Sequence, residues 1–114
     1  MGEDSRIFKF QKFTTAIALA EALAPNAPFR LIRIELNVDD TPTDSEDLTV
    51  TLDAGDGSAY DTVLYTRDLS VGSVTDLVIP FGEGYEFESD DEIDLAYDNT
   101  GRDTISGRYV YELI

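Results

Sequence analysis

Strict alternation at period two, broken every few residues by turn clusters, constrains this chain more than any other feature. In "RLIRIELNV", Ile32, Ile34, Leu36 and Val38 share one face, while Arg33, Glu35 and Asn37 share the other. In "LTVTL", Leu48, Val50 and Leu52 oppose Thr49 and Thr51, and "IDLAY" repeats the pattern with Ile93, Leu95 and Tyr97. "AYDTVLYTR" is rich in Tyr and β-branched residues, "SVTDLVIPF" reads as a strand that Pro80 ends, and "GEGYEFESDDE" reads as a loop or short strand. The closing stretch "TISGRYVYEL" puts Tyr109, Tyr111 and Leu113 on one face. Between these runs lie "DDTPTDSED" around Pro42, "DAGDG" and "DNTGRD", the residue types that turn a chain. Short strands at this regular spacing describe an all-β protein whose sheets each have one buried and one wet face.

The first 27 residues are less uniform. "IFKFQKF" alternates Phe8 and Phe10 with Lys9 and Gln11, as an exposed or partner-facing strand does. "TAIALAEAL" contains strong helix formers but also alternates, with Ile17, Leu19 and Glu21 on one side and Ala16, Ala18 and Ala20 on the other. Read as a strand, it raises the count to about eight, the size of a jelly roll. The expected architecture is an antiparallel β-sandwich, a jelly roll of about eight strands. Residues 1–13 form an N-terminal arm or peripheral strand, and residues 14–114 a single β-sandwich domain around one core, as a chain of 114 residues favours.

What is missing narrows the chemistry. The chain has neither Cys nor His, so thiolate sites, cysteine nucleophiles and imidazole bases are unavailable, together with most zinc and copper sites. Its formal charge is −16, unevenly spread. Residues 1–33 hold five basic residues against three acids, and the rest three basic residues against 21 acids. Such a body repels nucleic acid and anionic membranes, so neither is expected as a partner. No apolar run is long enough to span a bilayer. "TTAIALAEALAP" is read as part of the fold rather than a signal-peptide tail, because Glu3 and Asp4 spoil the basic leader it would need. Paired carboxylates are the acid–base route left open, but 24 acids generate pairs by chance, and no Trp is present to stack on a sugar. The chain is not expected to be an enzyme.

Two acidic segments invite a metal reading. "DAGDG" lacks the spacing of a calcium loop: Asp53 and Asp56 are three apart, and the twelfth position from Asp53 is Leu64 rather than a bidentate Glu. Gly55 and Gly57 between two alternating runs suit a turn, with a looser calcium site at Asp53, Asp56 and Asp61 left open. Glu86, Glu88, Asp90, Asp91, Glu92 and Asp94 form a denser cluster, read as a solvated connection. No metal ligand, catalytic residue or cofactor is assigned. The tyrosines in strands are expected to pack in the core or at its rim, each with its hydroxyl reaching a partner.

The order of several stretches resembles small virion structural proteins of tailed bacteriophages. The "T-P-T-x-x-E-x-L-T-V-T-L" type stretch falls at Thr41 to Leu52, the "Y-D-T-V-L" strand at Tyr60 to Leu64, and the closing "D-E-I…Y-x-N-T-…-G" stretch at Asp91 to Gly107. The likeness covers about residues 28 to 113. It implies a jelly-roll or similar sandwich that acts as a capsid decoration or cement protein, made in the host cytoplasm and placed on the capsid surface of the virion. It also implies self-association, a homotrimer being the expected form, and a major capsid protein or other virion subunit as partner. It brings no catalytic or metal residues. The N-terminal segment supplies the expected partner contacts: Arg6, Phe8, Lys9, Phe10, Lys12 and Phe13, aromatic anchors with positive charge. The alternative reading is a tail-associated or receptor- or carbohydrate-binding β-sandwich module, with calcium dependence left open.

Overall fold

The alternating stretches become eight strands. A computed structural model describes residues 7–114 and gives β1 Lys9–Thr15, β2 Leu19–Leu23, β3 Phe29–Val38, β4 Asp47–Asp53, β5 Thr62–Asp68, β6 Asp76–Phe87, β7 Glu92–Tyr97 and β8 Ile105–Leu113. They form two four-stranded antiparallel sheets, ordered β1-β8-β3-β6 (sheet A) and β2-β7-β4-β5 (sheet B). The chain passes from sheet to sheet so that its first strand pairs with its last and its second with its seventh. This is the nested strand order of a jelly roll, as the alternation implied.

Side chains from both inner faces meet in one core. Phe29, Leu31, Ile34, Leu36 and Val38 of β3 and Ile105 and Tyr109 of β8 face Leu48, Val50, Ile93 and Leu95 of sheet B. The alternation in β3 does not run unbroken. A bulge between Leu31 and Arg33 shifts the register against both β6 and β8. Ile32, expected with the core residues, is displaced to a half-buried position, and Leu31 and Phe29 enter the core instead. Pro80 does not end its strand either. β6 runs on to Phe87 because it is an edge strand, where a missing N–H breaks no ladder. Near Gly84 the backbone adopts a positive φ of 117°, and an added Cβ would run into the Arg30 side chain, so only glycine fits.

The N-terminal segment joins the sandwich. β1 pairs with β8 from Lys9–Tyr111 to Thr15–Ile105, forming one edge of sheet A. "TAIALAEAL" is extended, but its strand begins only at Leu19, leaving Ile17 exposed in the preceding turn. That turn is tied to the far end of the fold by Asn99. Its amide Nδ2 donates to the carbonyls of Ile17 and Asp103, and its Oδ1 accepts from the Asp103 N–H. Asn99 is buried and left-handed at φ 52°, a conformation Asn tolerates better than most residues.

Tyr109 links the two sheets directly. It stands on β8, and its hydroxyl lies 2.9 Å from the Glu21 carbonyl of β2 and 3.0 Å from the Ile93 carbonyl of β7. The phenol is fully buried, which pushes its pKa far above the ordinary range; the nearby charges of Glu21, Asp94 and Glu92 push the same way. Replacing Tyr109 with Phe keeps the ring and deletes this bridge. The expected loss is about 1–2 kcal/mol of unfolding free energy, read as a lower urea midpoint with an unchanged slope; an unshifted midpoint would show that the bridge contributes nothing.

Candidate docking face

Once β1, β8, β3 and β6 are aligned, their outward residues fall into rows across sheet A. One row reads Phe10, Val110, Arg33, Pro80; the next Lys12, Arg108, Glu35, Val78; the next Thr14, Ser106, Asn37, Asp76. Arg30 stands between Glu112 and Glu86 in a fourth. Antiparallel register sets Arg108 beside Glu35 and Arg30 between Glu112 and Glu86, the arrangement in which cross-strand pairs help, although it also sets Lys12 beside Arg108. Glu35 takes a hydrogen bond from Arg33 Nε at 2.6 Å and from Arg108 Nε at 2.8 Å, and the two guanidinium groups, Arg108 first, hold its carboxyl below the usual range. Arg30 donates to Glu112 at 2.7 Å and to Glu86 at 3.0 Å. The Arg108 guanidinium lies 4.4 Å from the centre of the Phe10 ring. Val110, flanked by Phe10 and Arg33 in its row, is fully buried although it does not belong to the core.

This face is electrically unlike the rest of the molecule. Lys12, Arg30, Arg33 and Arg108 balance Glu35, Asp76, Glu86 and Glu112, so it is near neutral in a chain of −16. It is also concave. A shallow, open groove of about 500 Å³ lies on it, lined by residues of all four strands, among them Lys12, Arg108, Ser106, Asn37, Asp76 and Val78. Gly107 cannot carry a side chain, because a Cβ there would collide with the Glu35 carbonyl.

The residues expected to meet a partner divide. Phe10 and Lys12 lie on this face, with Phe10 half exposed and Lys12 lining the groove. Phe8 and Lys9 are exposed at the start of β1. Phe13 points the other way, packs against the core and meets Tyr109 edge-on with ring centres 6.0 Å apart. Arg6 lies outside the described residues. Arg30, Arg33 and Arg108 are the cations that sequence reasoning did not single out. The outward position of Arg33 and Glu35 was readable from alternation, but nothing in it placed β8 beside them.

The acidic segments have a different architecture. "DAGDG" joins β4 to β5 through a short 3₁₀ turn at Ser58–Tyr60. Asp61 Oδ1 accepts from the Ala54 N–H, and the buried Asp91 accepts from the N–H groups of Gly55 and Glu88. Asp91 therefore pins this connection to the β6–β7 turn. On sheet B, Asp53, Glu92 and Asp94 bring carboxylate oxygens within 4.8 Å of one another. Ca²⁺ takes about six to eight oxygens, and three carboxylates, each binding through one or two, could supply three to six of them. A proton relieves the crowding another way: Asp94 is pushed up to about 6, first by burial, then by its hydrogen bond with Glu92 and the charges of Glu92 and Asp61.

No known protein-family model matches the chain, and no curated protein is significantly similar to it.

The raised Asp94 fixes a sign. The folded protein keeps a proton that the unfolded chain releases near 3.8, so this contribution to stability is lost as pH rises from there through about 6. Glu35, lowered from 4.5, acts oppositely and stabilises only above its unfolded value. Asp94→Asn should therefore raise the unfolding midpoint near pH 7.5 and leave it almost unchanged near pH 4. Equal shifts at both pH values would show that the proton is not held there.

Proposed function

We propose that this chain is a non-enzymatic structural subunit of a virion, a decoration or cement protein that lays the outer face of sheet A on the capsid. The observation that carries the reading is that near-neutral, grooved face on an otherwise strongly acidic jelly roll. Burial of Phe10 and Val78 there would supply apolar contact, and Lys12 with the Arg33–Glu35–Arg108 ion pairs would supply polar groups that a partner surface can meet without the repulsion the rest of the molecule carries. The remaining acidity keeps the outward surface hydrated and turns nucleic acid and anionic membrane away. The fold agrees with what the likeness to phage virion proteins implies, and the same likeness supports a trimer. The protein would be made in the host cytoplasm and end on the capsid surface, contacting the major capsid protein or another virion subunit.

A second reading, a tail-associated or receptor-binding module that holds a glycan with calcium, draws on the converging carboxylates of Asp53, Glu92 and Asp94. Glycan binding abolished by EDTA would favour it.

Antibody labelling of purified virions from the same genome separates these readings. Label spread over the heads is the expected result; label confined to the tail favours the second, and absence from the particles overturns both. Filling the groove with Ser106→Phe should lower binding to undecorated heads at least tenfold while the purified variant stays folded. Unchanged binding would remove this face from the interface.

A further inference from the structure

The connection from β4 to β5 carries the one Asp-Gly step in the sequence, Asp56–Gly57, and no Asn-Gly step occurs. Residues 55–60 are all exposed. The neighbouring carboxylates are engaged: Asp61 accepts from the Ala54 N–H and Asp91 from the Gly55 N–H. Asp56 is not engaged. No hydrogen bond or ion pair to a described residue holds its carboxylate.

That free carboxyl adjoins the peptide nitrogen of a residue with no side chain. Gly57 adopts φ 114° and ψ 168°, and a Cβ placed on it would meet nothing within 4 Å, so water and the Asp56 side chain reach its backbone unhindered. One bond keeps the nitrogen in place. The Gly57 N–H donates to the Ala54 carbonyl at 3.1 Å and closes a four-residue turn. An exposed backbone bond of this kind opens locally, without unfolding the rest. The aspartates of the strands are placed differently. Asp47, Asp68, Asp76 and Asp94 are each followed by leucine, whose side chain crowds the nitrogen. Asp44 precedes Ser45, which is tied to Asp68 through its hydroxyl at 2.6 Å.

We propose that Asp56–Gly57 is a site of spontaneous isomerisation, at which the chain converts to isoaspartate when this turn opens. The Gly57 nitrogen attacks Cγ of Asp56. An N–Cγ bond forms, the nitrogen gives up its proton, and a carboxyl oxygen leaves as water, closing a cyclic imide. Water then cleaves the imide on one side or the other. Cleavage between nitrogen and Cγ restores aspartate. Cleavage between nitrogen and the main-chain carbonyl carbon leaves the chain running through Cγ, with the former main-chain carbonyl as a free carboxylate. One water is lost and one is gained, so mass and charge are unchanged and no other reactant is needed. The product carries an extra backbone atom between Ala54 and Gly57, and the turn cannot close again in the same shape. The site belongs to sheet B, so it is independent of the docking face on sheet A.

The full chain, kept warm at mildly acidic pH and then digested, tests this when its peptides are read by electron-transfer fragmentation, which distinguishes the two isomers. Isoaspartate should accumulate at Asp56 at least tenfold faster than at any other aspartate. Asp56→Glu keeps the charge but has to close a larger ring, and should lose the signal. Asp56→Asn reaches the same imide by releasing ammonia, and should react at least tenfold faster than the parent. Isoaspartate absent from Asp56, or spread evenly over the aspartates, would overturn the proposal, and an asparagine variant that reacts no faster would exclude the imide. Tyr109→Phe, which weakens the whole fold, separates local from global opening. An unchanged rate at Asp56 is expected; a rate that rises with the unfolded fraction would assign the reaction to the unfolded chain and remove the turn from it.

Discussion

The phenol of Tyr109 sets the terms for the two sheets. A hydroxyl in the middle of an apolar core costs free energy unless it is satisfied, and this one reaches carbonyls on β2 and β7 while its ring stays on β8. One residue of sheet A is thereby held at a fixed distance from two strands of sheet B. With Tyr109 directed inward, the strand's alternation turns Arg108 outward and leaves Val110 beside Phe10 and Arg33. The ion pairs around Glu35 exist on the surface because the core beneath them permits one orientation of β8.

Much of this was legible in advance. Alternation placed Leu48, Val50, Ile93, Leu95 and Tyr109 on inner faces, and it made the eight strands and their two-layer packing the natural expectation. The failures are local and have physical causes. Ile32 looked like a core residue because a bulge leaves no mark in a hydrophobic pattern, and Leu31 takes its role. Pro80 looked like a terminus because its missing donor matters only where a neighbour needs it. The surface face was harder to foresee. Its rows draw on residues from four strands scattered between Phe10 and Glu112, and only topology brings Lys12 beside Arg108 or Asp53 beside Glu92 and Asp94. "DAGDG" showed its turn glycines plainly, but the carboxylate that pins it, Asp91, lies far along the chain.

The four sheet edges are each managed in their own way. β6 carries Pro80 and glycines with positive φ, which interrupt its free edge. β2 is only five residues long, and the Ala22 carbonyl is taken by the side chain of Gln11 from β1. β1 sets two lysines along its length, and β5 is bulged against β4 between Val50 and Thr51. These are the devices by which β proteins avoid indiscriminate edge-to-edge pairing. They leave side-chain chemistry, rather than an open ladder, to decide what meets the flanks.

The pairing of β1 with β8 also governs the order in which the molecule can be made. Lys9 meets Tyr111, so the first strand waits for the last before its hydrogen bonds exist. During synthesis the aromatic residues of β1 are exposed while nearly all of the remaining chain emerges, and closure must bridge almost its full length. Long-range pairing of this kind folds slowly, and the waiting chain risks joining its neighbours. A net charge of −16 makes like chains repel one another, which works against such joining while β8 is still to come.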